Sequence, residues 1–315
     1  MSITVVGSIN MDIVARIDQY PDRGETIFGN KLEYLPGGKG ANQATAVARL
    51  GKKVRLIGSI GDDLHGADLL EILKENKIDI KSIKRSKNVP TGTSIITIDK
   101  TGENTILVFK GANDDLTVQD IDESFLNIND SKILLVQMEV PHETVLRAMQ
   151  LAKQREMLVI LDPAPAEGIV VEALEYADII TPNQQEAEHL LGIKVYDFES
   201  ALTAAQRFEK MGVKCSIIKM GSKGSLVYQE GKHEYIQSLN IQAVDTSGAG
   251  DAYAGALAVG ILDGLDLFSA AKMANIVAGM KVTRIGAQNG LPTRKELQKF
   301  CKERNLPYYS MEESV

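Results

Sequence analysis

A short run of small residues next to an aspartate carries the strongest chemical signal in the sequence. The run spans Asp245 to Asp251 with the letters DTSGAGD, and a helical pattern from Ala252 to Leu262 follows at once. Small residues before a helix let unpaired backbone N–H groups approach an anion at the positive end of the helix dipole. A carboxylate there can accept a hydroxyl proton while the N–H groups stabilise a transferring phosphoryl group. Taken alone, the heptapeptide fits a plain N-cap in a tight turn equally well.

A second glycine-rich element spans Pro36 to Ala44, with the letters PGGKGANQA. Its glycines again indicate close approach of the backbone to a ligand, and Lys39 and Asn42 could reach hydroxyls or a phosphate. The spacing of a Walker A loop is absent, and no G-x-G-x-x-G follows the first strand. A Rossmann-type dehydrogenase is therefore poorly supported.

The elements that must position these motifs form an alternating pattern. Near-continuous Val/Ile/Leu strands separated by amphipathic helices indicate a parallel sheet covered by helices on both faces, with ligands beyond the carboxyl ends of the strands. The predicted strands are Ile3 to Val6, Val54 to Ile60, Ile133 to Met138, Met157 to Leu161, Asp178 to Thr181 and Cys215 to Lys219. The predicted helices between them include Ala41 to Leu50, Gly66 to Asn76, Glu143 to Arg155 and Glu199 to Met211.

Two stretches, at about 12–36 and 91–109, break this rhythm with the alternating pattern of antiparallel hairpins. They predict a small β-sheet lid over a cleft, within a single α/β domain that spans 1–315. The basic run from Lys81 to Lys87 is interpreted as a solvated connection.

Composition limits the function classes. The 315 residues carry a formal net charge of -7, which argues against broad binding to nucleic acid or to an anionic membrane. No run of apolar residues is long enough for a membrane span, and two unclustered cysteines suit a reducing compartment. We expect a soluble cytoplasmic protein.

Together, the two glycine-rich elements resemble the two signature motifs of the ribokinase (PfkB-type carbohydrate kinase) family. Gly37 to Ala44 matches the first signature, and Asp245 to Gly255 matches the second. The resemblance extends over nearly the whole chain. It implies a ribokinase-like fold, a central, mainly parallel sheet flanked by helices with a small β-sheet lid that often pairs in a homodimer. It also implies ATP-dependent phosphorylation of a sugar, with D-ribose phosphorylated at O5 as the favoured case.

The resemblance assigns roles to individual residues around the sugar. Asp251 would be the general base, and the anion hole would come from Gly248, Ala249 and Gly250. The sugar pocket would use residues after the first strand, in the first glycine-rich element and near residue 140, together with the base: Asn10, Asp12, Gly38, Lys39, Asn42, Glu139 and Asp251.

The resemblance also implies a nucleotide site. Asn183 and Glu186 match an N-x-x-E motif that would position hydrated Mg²⁺ and the phosphates of ATP; the same two residues also fit a helix-capping pair. The rest of the nucleotide would contact Lys219, Gly221, Ser222, Gly224, Gly250 and Asn275.

Members of the family are activated by a monovalent cation, usually K⁺, beside the anion hole. The matching positions are Asp245, Ser247, Lys281, Arg284, Gly286 and Gly290. Gly290 departs from the pattern, because some ribokinases place a serine there whose hydroxyl joins the cation shell. A water or a carbonyl could replace that hydroxyl, so the resemblance still implies activation by K⁺.

Several alternatives stay open at this point. Other acceptors within the family are deoxyribose, fructose, a keto-deoxy sugar acid or a nucleoside such as adenosine. A non-catalytic sugar- or nucleotide-binding regulator on the same fold is a further alternative, although a pure binder has little use for Asp251 beside an anion hole.

Overall fold

The computed structural model describes residues 1–168 and 171–307, which fold around one large sheet of nine strands. The order across this sheet is β13-β12-β11-β10-β9-β8-β1-β4-β5, and every pair is parallel except those made by β12. Its strands are β1 (Ser2–Val6), β4 (Val54–Gly61), β5 (Asp79–Ser86), β8 (Ser131–Val136), β9 (Leu158–Leu161), β10 (Ile179–Ile180), β11 (Cys215–Lys219), β12 (Ser225–Gln229) and β13 (Lys232–Ile236). The predicted parallel sheet is confirmed, and each predicted strand overlaps an observed one.

Helices cover both faces of this sheet. Successive side chains of a strand point to opposite faces, so each buried strand contributes to two cores. On β8, Ile133 and Leu135 join one buried core, and Leu134 and Val136 join the other. The first core lies under α1 (Lys39–Arg49), α2 (Leu64–Glu75), α7 (Ala249–Leu262), α8 (Leu267–Val282) and α9 (Arg294–Glu303). The second lies under α3 (Val118–Leu126), α4 (His142–Gln154), α5 (Gln184–Leu191) and α6 (Phe198–Lys210). Within the described ranges, no helix is long and apolar enough to cross a membrane.

A separate four-stranded sheet forms the lid, in the order β3-β2-β6-β7. Its strands are β2 (Asn10–Arg16), β3 (Lys31–Gly37), β6 (Gly92–Ile98) and β7 (Asn104–Phe109). The predicted antiparallel pairs are present between β2 and β3 and between β6 and β7, but β2 pairs with β6 in parallel. The lid is therefore two hairpins from distant parts of the chain, joined side by side. Since β2 begins four residues after β1 ends, it connects the lid directly to an interior strand of the large sheet.

The interpretation of Lys81 to Lys87 as a connection is wrong, because most of this run lies in the edge strand β5. β5 has only β4 as a neighbour, so its side chains are mostly half-exposed and its apolar pattern is weak. The Nζ of Lys84 donates to the Asp120 carboxylate at 3.0 Å. Lysines on an edge strand discourage pairing with another chain, which explains why a strand here carries so many charges.

Candidate active site

Asp251 lies in the first turn of α7, at the bottom of a cleft beyond the carboxyl ends of the strands. Its side chain is buried, and both carboxylate oxygens accept hydrogen bonds from amides of α1: Asn42 Nδ2 at 2.8 Å and Gln43 Nε2 at 3.1 Å. Burial raises the pKa of Asp251, the Lys39 cation opposes that rise, and Asp162 adds to it. A buried carboxylate with a raised pKa, held by two neutral donors, has the properties of a general base.

The turn before Asp251 gives α7 an N-terminus without a side-chain cap, because Gly248 occupies the N-cap position in the left-handed conformation with a φ of 72°. The Ala249 N–H donates to the Thr246 carbonyl at 3.1 Å. The Gly248 and Gly250 N–H groups have no acceptor in the described part of the chain, so they can meet a ligand. The residues predicted for the anion hole thus lie together, but Ala249 already has an acceptor.

The opposite wall of the cleft is the start of α1, and it depends on a glycine. Gly38 has a φ of 85°, and a Cβ atom there would lie 2.7 Å from the Asn10 nitrogen and the Ser8 carbonyl oxygen. Only glycine can therefore bring the start of α1 against the turn that connects β1 to β2. This close approach places Lys39, Asn42 and Gln43 next to the lid.

Lys39 is the central cation of the site. Burial would lower the pKa of Lys39, but the charges of Asp251, Glu139, Asp162 and Glu186 together raise it well above its usual range. A lysine among four carboxylates stays protonated, and its positive charge offsets part of the repulsion between them. It also lines the cleft that contains Asp251.

On the lid side, the structure brings together the residues predicted for the sugar. Asn10 is buried, and its Oδ1 accepts from Asn113 Nδ2 at 2.7 Å, which leaves the Asn10 amide NH₂ to donate. Glu139 accepts from the Ser8 hydroxyl and from the Lys39 N–H, the latter at 3.3 Å. Burial raises the pKa of Asp12, the charges of Glu139 and Asp251 add to the rise, and the Lys39 cation opposes it, so these charged groups lie near one another.

Asp162 is a central residue of the site that sequence reasoning missed. It is buried and accepts from Gln43 Nε2 at 2.8 Å, from Thr181 Oγ1 at 3.1 Å and from Lys219 Nζ at 2.7 Å. Asp162 directly follows the end of β9, where a polar side chain faces the cleft in a parallel sheet, so the strand pattern contained the signal. Gln43 and Asn113 were also missed, although Gln43 lies within the first glycine-rich element; Asn113 lies in neither motif.

Asn183 and Glu186 form a capping box at the start of α5. The Glu186 carboxylate accepts from the Asn183 backbone N–H at 2.7 Å and from Asn183 Nδ2 at 2.8 Å, while the Glu186 N–H donates to Asn183 Oδ1 at 2.8 Å. Burial raises the pKa of Glu186 to about 6, against the nearby Lys219 cation. The capping interpretation is thus confirmed, and the same two side chains also line the cleft.

The cleft has a volume of about 600 Å³, which is within the range of small-molecule sites. It runs from Lys39 and Asp251 past Asn183 and Glu186 to Asn275. The positions predicted for the nucleotide, Lys219, Gly221, Ser222, Gly224, Gly250 and Asn275, all line it. The Asn275 amide donates to the Gln237 carbonyl at 2.9 Å, and Lys219 is paired with Asp162.

The residues predicted for a monovalent cation lie in the loop before α7, in the last turn of α8 and in the segment that follows α8. The Asp245 carboxylate accepts from the Ser247 N–H at 2.8 Å and from the Gly286 N–H at 2.7 Å. Lys281, in the last turn of α8, donates from its Nζ to the Asp245 carbonyl at 2.8 Å. The segment from Arg284 to Gly290 therefore packs against the loop that carries the Gly248 turn.

The charge of Asp12 gives a stability prediction. Burial raises the pKa of Asp12 from 3.8 to about 6, with Glu139 and Asp251 adding to it and a Ser94 hydrogen bond opposing it. A carboxyl group whose pKa is raised by folding destabilises the fold when it is ionised, by roughly 2–3 kcal/mol above about pH 6, and this penalty vanishes toward about pH 4. Asp12→Asn should therefore raise the melting temperature by a few degrees near neutral pH, with a gain that fades as pH falls, as scanning calorimetry would measure.

Asp68→Asn, on the exposed side of α2, is the matched control and should show no such pH-dependent gain. Equal melting temperatures for Asp12→Asn and the parent protein near pH 7.5 would show that the ionised Asp12 carboxylate does not destabilise the folded state.

The chain is similar to carbohydrate kinases over nearly its whole length. The family model described as pfkB family carbohydrate kinase matches residues 1–294. The chain is 38% identical to a ribokinase of Haemophilus influenzae over 301 residues, which cover 96% of this chain and 98% of the relative. It is 32% identical to a deoxyribokinase of Salmonella typhi over 303 residues, 95% of this chain and 98% of the relative.

Two solved structures resemble the fold closely. Ribokinase from Thermotoga maritima superposes with a TM-score of 0.88 at 38% identity, covering 96% of this chain and 99% of the other. Ribokinase from Arabidopsis thaliana, solved with ribose and ATP, superposes with a TM-score of 0.87 at 31% identity, covering 96% and 98%.

Proposed function

Because this chain belongs to the pfkB family of carbohydrate kinases, we propose that it transfers the γ-phosphoryl group of ATP to the O5 hydroxyl of D-ribose, giving D-ribose 5-phosphate. The observation that carries this proposal is the position of Asp251. Its buried carboxylate lies in the first turn of α7 and lines the 600 Å³ cleft. A base next to an anion hole is what transfer of a phosphoryl group to a hydroxyl requires.

In the proposed reaction, the Asp251 carboxylate accepts the proton of the O5 hydroxyl. The sugar oxygen then forms a bond to the γ-phosphorus, and the bond from that phosphorus to the bridging oxygen of ADP breaks, with its electron pair leaving on ADP. The Gly248 and Gly250 N–H groups and the Lys39 cation are placed to stabilise the negative charge that the transferring group spreads over its oxygens.

The donors and acceptors under the lid support a polyhydroxylated acceptor. Asn42 Oδ1 is buried without a hydrogen-bond partner among the described residues, and an acceptor hydroxyl would supply its donor. The Asn10 amide and the Asp12 and Glu139 carboxylates add further groups that pair with hydroxyls. A pocket that hydrogen-bonds hydroxyls discriminates against an analogue that lacks one, because its polar groups are then left unpaired.

Mg²⁺ fits the nucleotide end of the cleft. Glu186 and Asn183 line the cleft and offer the hard oxygen atoms that Mg²⁺ prefers. Burial raises the pKa of Glu186 to about 6, so a further positive charge nearby would favour its ionised form. Since the oxygens of both side chains already accept hydrogen bonds in the capping box, these residues would hold the ion through its water molecules. The ion would supply positive charge to the phosphates of ATP.

We also propose that two copies of the chain pair through their lids. The supporting feature is the apolar surface of β7, where Ile106, Leu107, Val108 and Phe109 are each more than half exposed. Contiguous apolar patches of this kind mark interaction sites. Light scattering should give twice the 34.3 kDa chain mass, and Leu107→Lys should return the single-chain mass. A parent protein that elutes at the single-chain mass would contradict this assembly.

The experiment that tests the function is ADP formation from MgATP with ribose, 2-deoxyribose, fructose or adenosine as acceptor. Ribose and 2-deoxyribose form a matched pair, because they differ by one hydroxyl group. We expect kcat/KM for ribose to exceed that for 2-deoxyribose by at least about tenfold, the value of one unpaired buried polar group. A preference for any other acceptor would overturn the ribose assignment and leave the kinase assignment in place.

A further inference from the structure

Lys281 is the most deeply buried charged side chain near the active site that the proposed reaction does not use. Its side chain is 0% exposed, and it reaches from the last turn of α8 to the loop that precedes α7. Its Nζ donates to the Asp245 carbonyl at 2.8 Å and lies 3.6 Å from the Asp245 carboxylate. A buried ammonium group needs such partners, since an unpaired buried charge is very costly.

The end of this side chain lies beside the carbonyl groups that the family resemblance assigns to a monovalent cation. A Cβ atom built on Gly290 would lie 3.1 Å from Lys281 Cε, 2.9 Å from the Gly286 carbonyl oxygen and 3.1 Å from the Arg284 carbonyl oxygen. A serine at position 290 would therefore crowd the lysine. The residues at 281 and 290 are complementary, because the absence of a side chain at Gly290 makes room for the long side chain of Lys281.

The six residues that the family resemblance assigns to K⁺ therefore do not fit a free ion in this chain. We propose that the ammonium group of Lys281 takes the place of the monovalent cation, so that the enzyme works without K⁺. An ammonium ion and K⁺ carry the same charge and are of similar size, and both are bound by carbonyl and carboxylate oxygens. A second cation could enter only against the repulsion of the first.

Lys281 is thus a positioning residue, because it acts on the reaction through the loop between Asp245 and Gly248. The loop is held to α8 by the Lys281 bond and by the Asp245 and Val244 N–H groups, which donate to the Val282 carbonyl at 3.1 and 2.7 Å. The same loop supplies the Gly248 N–H at the start of α7. A covalently attached cation fixes this loop permanently, whereas a bound ion would fix it only while present.

This inference rests on the proposed kinase function for its activity readout, and its first test uses the unaltered protein. We expect kcat/KM to change by less than about twofold when KCl is replaced by tetramethylammonium chloride. Both salts are used at equal ionic strength, so that the screening of charges is the same. We also expect the melting temperature to be the same in both salts, because an ion that binds only the folded state would raise it. A fall in kcat/KM of about tenfold or more without K⁺, or a rise in melting temperature specific to K⁺, would overturn the proposal.

The second test rebuilds the ion site with Lys281→Ala combined with Gly290→Ser. This variant should lose at least about tenfold in kcat/KM in tetramethylammonium chloride, recover most of it in KCl, and gain a K⁺-dependent rise in melting temperature. Lys281→Met is the matched control, because it removes the charge but keeps a long side chain in the site, so K⁺ should not restore its activity. A double variant that folds but responds to K⁺ in neither measurement would also overturn the proposal.

The two readouts separate this inference from the proposed function. If no acceptor in the panel gave ADP, the kinase assignment would fail, and the dependence of the melting temperature on K⁺ would still decide the role of Lys281.

Discussion

Asp251→Asn should lower kcat with ribose and MgATP by about 10²–10⁴-fold, the usual contribution of a general base. Asparagine has nearly the same shape, but its amide cannot accept the hydroxyl proton. The two donors that hold the carboxylate, Asn42 and Gln43, come from α1 and do not depend on the substrate. We therefore expect KM for ribose to change much less than kcat, as steady-state rates of ADP formation would measure.

Asp68→Asn on the exposed side of α2 is the control for the chemical change itself, and it should leave both constants unchanged. If Asp251→Asn kept the turnover of the parent protein, Asp251 would not be the base, and a ligand-binding role for the chain would regain support.

Lys39→Met should lower kcat/KM by about 10²–10³-fold, the loss typical for one group that stabilises developing charge. It should also change the pH dependence. The Lys39 cation lowers the pKa of Asp251, so its removal raises that pKa further above the ordinary aspartate range. Because only the ionised base is active, the acid limb of the kcat/KM profile should move to higher pH. The loss should then be deepest at low pH.

Lys132→Met, on an exposed residue of β8, is the control for Lys39→Met and should leave the profile unchanged. An acid limb that stayed in place in Lys39→Met would show that Lys39 and Asp251 do not interact electrostatically in the working enzyme.

The strands and helices of the core were predictable because their patterns are strong. β11 was predicted at its observed bounds, Cys215–Lys219, since a continuous apolar run in a buried parallel sheet has no competing interpretation. β5 was not, because an edge strand buries little and its lysines resemble those of a loop. The parallel pairing of β2 with β6 could not be predicted either, since it joins segments about 80 residues apart and no local pattern encodes it.

Some residues of the candidate site could likewise be predicted from local patterns, and others could not. Lys39 and Asp251 could be predicted to line one cleft, because each lies in a glycine-rich motif whose spacing is local and specific. Asp162 lies outside any motif, and only its position after β9 relates it to the cleft. The role of Lys281 is a different case, because the sequence places its backbone correctly but says nothing about where a long side chain ends. The direction of that side chain depends on Gly290, a neighbour only in the folded chain.

The position of β1 has a consequence for how the chain is made. β1 pairs on one side with β4 and on the other with β8, which ends at residue 136. A ribosome releases the N-terminus first, so β1 emerges early, and the backbone N–H and C=O groups along one of its edges stay unpaired until β8 has followed it. The strands from β8 to β11, by contrast, join the sheet one after another in the order of synthesis. The candidate site is completed later still, because Asn42 and Gln43 cannot donate to the Asp251 carboxylate until α7 has been made.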